Sequence, residues 1–506
     1  MICHYCEKYP SDEWCESLPI VYRDEEGKSY CVFHAPQGKK GVSLYEFNEY
    51  VFDLITKAQK ERRNCGLYGV VFEGDIHFQR FNKDNPLPSL SFHEVLFPGE
   101  VNFSNTYCAE NVTFSDTVFQ GEADFINTIF KKGLSLLLVK FQGEAIFIGT
   151  EFLGPNVFMG VEFSSTANFL NAKFHRWVHI PGCIFKDYAR FELSNFSESV
   201  HFQRSHFKKQ ANFENCKFKG ELVLEETKFD KEVFFKSAEF DNKVSILNTI
   251  FEEKADFSKV LFYQNSFIKG ETFHDIGMLT NVSIRDKLVL DGVSLKKTSF
   301  LDSDLRKMDF YNCEWHQEKG WKLLYDEILA ITTKTPSSSS QLIGKVEILY
   351  RQLKQKCKEE NNEIEASNWH YREKEMQRKG SSTLFIKIFL NIYYAASGYG
   401  ENPRLALLVL VLLILLSTFV LSICGLIPVN SASQLCDVEV INWPQNADFQ
   451  QMTFVLSDVF KYVTFQKDYC LQPTSSMGQI FKIFIQIFIP IQGALLAFAL
   501  KNKFRR

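Results

Sequence analysis

Residues 185–218 read FKDYARFELSNFSESVHFQRSHFKKQANFENCKF, with Phe at 185, 191, 196, 202, 207, 213 and 218. The steps between them alternate six and five. An amphipathic helix repeats its apolar residues every three or four positions and a half-buried strand every two, so neither gives this pattern. Followed outward, one Phe series at a spacing of eleven runs from 119 to 273 without a miss. A second runs from 103 to 268, with Leu136, Ile180, Leu224, Ile246 and Ile268 as its only replacements. Two residues ahead of alternate members of the second series stands Ala, at 123, 145, 167, 189, 211 and 255, which sets the structural period at 22 residues. Four short faces of five, six, five and six residues make one turn of a solenoid, and stacked turns bring like side chains into ladders. Such ladders are the core, so most of the 50 Phe serve the fold rather than ligand recognition.

The units ADF at 123–125, ANF at 167–169 and ANF at 211–213 resemble the pentapeptide-repeat family. The resemblance implies a mainly β fold, a right-handed quadrilateral β-helix, over residues 68–315, here with 22 residues per coil. The alternation of five and six departs from the simplest family pattern and should widen or bulge two of the four faces. Near the end, Leu290, Leu295, Phe300, Leu305, Phe310 and Trp315 settle to a strict five. Residues 42–67, which contain VSLYEFNEYVFDLITKAQKER, supply an amphipathic helix to cap the N-terminal end.

A formal charge of −4 over 506 residues excludes the broadly basic surface of a general nucleic-acid binder. The apolar residues outside the solenoid gather at the C-terminus. Residues 405–427, LALLVLVLLILLSTFVLSICGLI, carry no charge and are long enough to span about 30 Å of hydrocarbon. Residues 480–500 form a second span with one cation, Lys482. Arg378, Lys379, Lys387 and Arg404 precede the first span and Lys501, Lys503, Arg505 and Arg506 follow the second, against Lys461 and Lys467 between them. That asymmetry predicts a two-pass protein of a bacterial inner membrane with N- and C-termini cytoplasmic. Residues 405–506 are then a two-span membrane domain, residues 383–404 an interfacial helix and turn, and residues 316–382 a helical connector.

In a reducing compartment, paired cysteines point to metal before disulfide. Residues 1–41 contain Cys3-x2-Cys6 and, after a gap of 24 residues, Cys31-x2-His34. Two such knuckle-like pairs present Cys3, Cys6, Cys31 and His34 as a tetrahedral set for a structural zinc. Cys15 and His4 leave the set ambiguous. Cys436 and Cys470 fall in the exported loop and are a disulfide candidate.

No nucleotide-loop, dinucleotide, zinc-protease or nucleophile-elbow motif occurs, so an enzyme is not expected. Gly398-Tyr399-Gly400 lies ahead of the first span and reads as a turn. Residues 449–465, FQQMTFVLSDVFKYVTF, sit between the spans as a re-entrant segment would, an order that resembles the ion-channel-like domain of pentapeptide-repeat membrane proteins. Asp458, Thr464, Gln486, Gln492 and Gly493 are the candidate pore residues. The resemblance implies a homo-oligomer, a tetramer by analogy with two-helix channels, gated by the cytoplasmic β-helix. Lys131, Lys132, Arg204, Lys208 and Lys209 are candidates for an anionic nucleotide or short oligonucleotide signal, as in a bacterial defence effector that permeabilises its membrane. The alternative is a membrane-anchored scaffold whose solenoid binds a protein partner.

Overall fold

The computed structural model describes residues 2–8, 15, 18–270, 273–318, 320–429, 441, 449–466 and 469–504. They form two compact units, Met1–Leu329 and Ala330–Arg506.

The first unit is a β-solenoid with four parallel sheets of 12, 8, 11 and 9 strands. Phe92 pairs with Phe114, Phe119 with Phe141, Ala123 with Ala145 and Phe130 with Phe152, so each coil advances 22 residues. Where the sequence settles to a strict five, Leu288 pairs with Met308 and the coil shortens to 20. The Phe rings are fully buried and stack coil on coil: Phe92 and Phe114 have centroids 4.5 Å apart at 3°, Phe185 and Phe207 4.4 Å apart at 1°.

The corners explain the two step lengths. Each five-residue step turns through a left-handed residue, and these recur every eleven positions, as at Asn105, Asp116, Asn127 and Leu138. Asn dominates because its short polar side chain tolerates that conformation. One of the two six-residue steps in each coil has its corner where Gly99, Gly121 and Gly143 stack, and a Cβ on Gly121 would lie 2.4 Å from the Gly99 carbonyl oxygen. Long strands are confined to a different face, where they reach four residues, as at Val112–Ser115 and Leu134–Leu137, so one face is widened rather than two. Small buried residues behind the left-handed corners stitch neighbouring coils: the Thr128 hydroxyl donates to the Phe103 carbonyl (2.7 Å) and that of Ser194 to Phe169 (2.6 Å). Cys183 and Cys216 take the same place, donating to Phe158 and Phe191, so they are packing residues.

Both ends are covered. Helix α1 is His4–Lys8 and α2 is Leu44–Glu61, the latter opened by a capping box between Ser43 and Glu46. Phe47 and Phe52 of α2 are buried with ring centroids 5.6 Å from Phe72 and 5.7 Å from Phe78. At the other end α3, Tyr325–Thr332, buries Asp326, which accepts from the Ser299 hydroxyl and the Phe300 N–H (2.8 Å). Burial pushes that carboxyl up to about 6.

The second unit is helical. Helices α4 (Pro336–Glu359) and α5 (Glu363–Gly380) form a hairpin around Val346, Tyr350, Leu353, Trp369 and Met376. Many charges of α5 are not a solvated face: Arg372, Glu373 and Glu375 are buried, Glu373 between Lys354 and Arg351, and Glu375 with Arg378 and the Tyr399 hydroxyl. Helix α6, Leu384–Ser397, leaves Leu384, Phe385, Phe389 and Ile392 exposed and buries Leu390. Gly398, Tyr399 and Gly400 are all left-handed and make the turn into α7, Pro403–Ile423. Helix α8 is Phe449–Val463 and α9 is Ser476–Phe504. Helices α7 and α9 are each long and apolar enough to cross a membrane. Helix α8 packs Val455, Val459 and Tyr462 against Leu421, Ile485 and Ile489 of these two.

Candidate metal centre and membrane helices

Cys3, Cys15, Cys31 and His34 are buried, and their ligand atoms lie within 4.8 Å of one another. His34 Nδ1 is 3.2 Å from Cys3 Sγ, 3.1 Å from Cys31 Sγ and 3.5 Å from Cys15 Sγ. Cys6, expected as a ligand, is instead disulfide-bonded to Cys15. Cys15, bonded to Cys6, takes the place in the cluster that Cys6 was expected to fill. His4 has its ring 6.0 Å from Tyr5 and Tyr30 and is no part of it.

The residues fit a metal. His34 Nε2 lies 2.8 Å from the Tyr68 carbonyl oxygen, and a proton held there leaves the Nδ1 lone pair directed at the sulfurs. The Cys31 N–H points at Cys3 Sγ (3.4 Å), a bond that favours thiolate. The hydrogen bond between the two side chains holds the Cys3 thiol down and pushes that of Cys31 up. A dication would let both ionise. With the Cys6–Cys15 bond reduced, three sulfurs and an imidazole are the donors that an ion such as zinc takes in a closed tetrahedron, with no position open for catalysis.

The surrounding residues fasten this cluster to the solenoid. Tyr68 belongs to the first strand, Cys65–Tyr68, and the Val71 N–H donates to the Phe33 carbonyl (3.0 Å). The Tyr5 ring stacks on His34 at 4.8 Å and lies over Gly69, where a Cβ would be 2.2 Å from it. Lys40, unforeseen in the sequence, is 1% exposed and donates to the carbonyls of Val32 (2.8 Å), Phe33 (3.1 Å) and Ala35 (2.6 Å). It clasps the loop that carries Cys31 and His34. Burial pulls its ammonium down to about 8. No spacing rule marks such a lysine.

The candidate pore residues are not brought together. Asp458 is buried and accepts from the Cys470 N–H (2.9 Å) and the Leu471 N–H (2.6 Å), so it holds the chain entering α9. Gln492 donates its amide to the carbonyls of Ala396 (2.8 Å) and Ala406 (2.9 Å), tying α9 to α6 and α7. Both are committed because an unpaired buried polar group is costly. Thr464 is exposed and donates to the Phe460 carbonyl at the end of α8. Gln486 has no hydrogen-bond partner among the described residues, and a Cβ on Gly493 would meet nothing within 4 Å. Lys482 lies 3.8 Å and 4.1 Å above the rings of Tyr469 and Tyr462. Cys470 is disulfide-bonded, and Cys436 lies outside the described residues.

The basic residues are also dispersed. Lys131 and Lys132 follow the strand Ile129–Phe130 on one sheet, and Lys208 and Lys209 follow His206–Phe207 on another, more than three coils away. Arg204 pairs with Glu226 of the next coil. They do not form one patch. A cavity of about 400 Å³, lined by Lys358, His370, Glu401 and Lys501 among others, lies between the hairpin and the end of α9.

A family model described as pentapeptide repeats matches in nine copies, with residues 180–228 and 191–238 among the matched segments. No curated protein and no solved structure matches the chain. Repeat match, coil register and Phe ladders agree: the solenoid of this chain is a pentapeptide-repeat β-helix.

Proposed function

We propose that the chain is a membrane-anchored homo-oligomer with both termini cytoplasmic, in which copies of α9 line a polar path and the solenoid is the cytoplasmic sensing or gating element. Gln486 carries this reading. A side-chain amide in hydrocarbon without a partner costs several kcal/mol, on the order of 2–7, unless water or another protein group meets it. Gln479, Gln486 and Gly493 recur every seven residues and so share one side of α9, next to Pro490. The side roughly 100–160° further round the helix exposes Ile480, Phe484, Ile487 and Ile491, as a lipid-facing surface does. Polar and small residues on one side and bulky apolar ones on the other is the division expected of a helix at an oligomer axis. The cavity beside Lys501 marks where a shift of the hairpin would reach the end of α9. Two-span channels suggest four copies.

A zinc ion in the cysteine cluster would serve assembly, closing the N-terminal end of the solenoid rather than doing chemistry. The second reading, a non-conducting scaffold that binds a protein partner, is favoured by the internal commitment of Asp458 and Gln492. Ion flux in liposomes separates the two: the channel reading expects flux that Gln486→Leu alters, whereas a scaffold conducts under no condition with either protein.

A further inference from the structure

Cys15 stands in two places at once. Its sulfur is one of four ligand atoms within 4.8 Å, and it is also bonded to Cys6. A disulfide sulfur has no thiolate lone pair to give, so the two uses exclude each other. We propose that Cys6 is a resolving thiol, and that a peroxide converts the metal-holding cluster into a metal-free one by joining Cys6 to Cys15.

In the reduced form Cys3, Cys15, Cys31 and His34 hold the ion and Cys6 is the adjacent free thiol. The Cys15 thiolate attacks one peroxide oxygen, the O–O bond breaks, and Cys15 becomes a sulfenic acid with loss of hydroxide. The Cys6 thiol then displaces the sulfenic oxygen, forming the S–S bond and releasing water. One thiolate, one thiol, one peroxide and one proton give one disulfide and two waters; the sulfurs lose two electrons and the peroxide gains them. Cys3, Cys31 and His34 remain as three ligands, too few for the closed tetrahedron that a structural ion needs.

The geometry makes the exchange consequential. His34 joins the cluster to the Tyr68 carbonyl at 2.8 Å, and Tyr5, one residue before Cys6, lies over Gly69. These two contacts with the solenoid therefore flank residues whose bonding changes.

The proposal rests on the metal reading, and the test keeps the two apart. Reduced full-length protein is loaded with Zn²⁺ alone, treated with hydrogen peroxide beside a chromogenic chelator, and mapped for disulfides by mass spectrometry. Expected are one Zn²⁺ per chain in the reduced protein, release in step with the Cys6–Cys15 disulfide, and reloading after thiol reduction. Cys6→Ser should keep its Zn²⁺ and release it at least about tenfold more slowly, while Cys15→Ser should bind it at least about tenfold more weakly. Release from Cys6→Ser at the wild-type rate, or Zn²⁺ and the disulfide together in one molecule by native mass spectrometry, would overturn the proposal. Wild-type affinity in Cys15→Ser would overturn the ligand assignment. If a variant fails to fold, release from the wild type without the disulfide overturns it equally. A reduced wild type that takes up no Zn²⁺ removes the metal reading itself.

Discussion

His34 Nε2 lies 2.8 Å from the carbonyl oxygen of Tyr68, so the imidazole of the cysteine cluster is anchored on the first strand of the solenoid. A metal held by the cluster would therefore be linked to the capping of the solenoid. Zn²⁺ at a hundredfold excess over its Kd should add about 2.7 kcal/mol to the stability of this end. His34→Ala should lose that gain, and amide exchange across residues 65–77 should speed up on chelation in the wild type but not in the variant. Equal exchange with and without metal would separate the cluster from the cap.

Lys40 holds three carbonyls of the loop that bears Cys31 and His34. Lys40→Met keeps the stem and leaves those carbonyls unpaired in a buried site. We expect a loss of about 2–3 kcal/mol in denaturant unfolding, together with weaker Zn²⁺ binding. A variant with unchanged stability would mean that water replaces the ammonium without cost.

Leu193 sits in a left-handed corner with φ 62° and is 56% exposed. It carries the strain of that conformation with no burial to offset it. Leu193→Asn should raise stability by roughly 0.5–1 kcal/mol. The urea midpoint checks this, and a decrease would show that the side chain does more at the surface than its exposure indicates.

Asp326 titrates at about 6 in the folded protein because burial disfavours its charge, against about 3.9 in an unfolded chain. The folded state therefore holds this proton more tightly, and stability falls as pH rises from about 4 to about 6, by at most about 3 kcal/mol. Urea midpoints of the wild type and Asp326→Asn should diverge in favour of the variant across that window. Parallel curves would place the carboxylate in a site that tolerates its charge.

The solenoid was legible because it is built by repetition: the same side chain meets itself every 22 residues, so the ladder of Phe185 on Phe207 is written directly in the spacing. The left-handed corners were not read, although the Asn at 105, 127, 171, 215 and 248 carries their signature. Spacing also misled. Cys3-x2-Cys6 has the form of a ligand pair, yet the path of the chain carries Cys15 into the cluster, a relation between segments that no local motif encodes. The hydrogen bonds of Asp458 and Gln492 were hidden for a similar reason. Polarity within an apolar segment shows that a group must be satisfied, and only the packing shows that the Cys470 and Leu471 N–H groups and the Ala396 and Ala406 carbonyls satisfy it.

The oligomeric membrane assembly is tested most directly by the mass of the detergent-solubilised protein, measured by light scattering with the detergent contribution subtracted. One chain is 58.7 kDa. A multiple of that mass, four by the favoured stoichiometry, which falls toward the monomer in Gln486→Leu, is the predicted result. A wild type that runs at 58.7 kDa in every detergent and in nanodiscs, and is unmoved by Gln486→Leu, would contradict it.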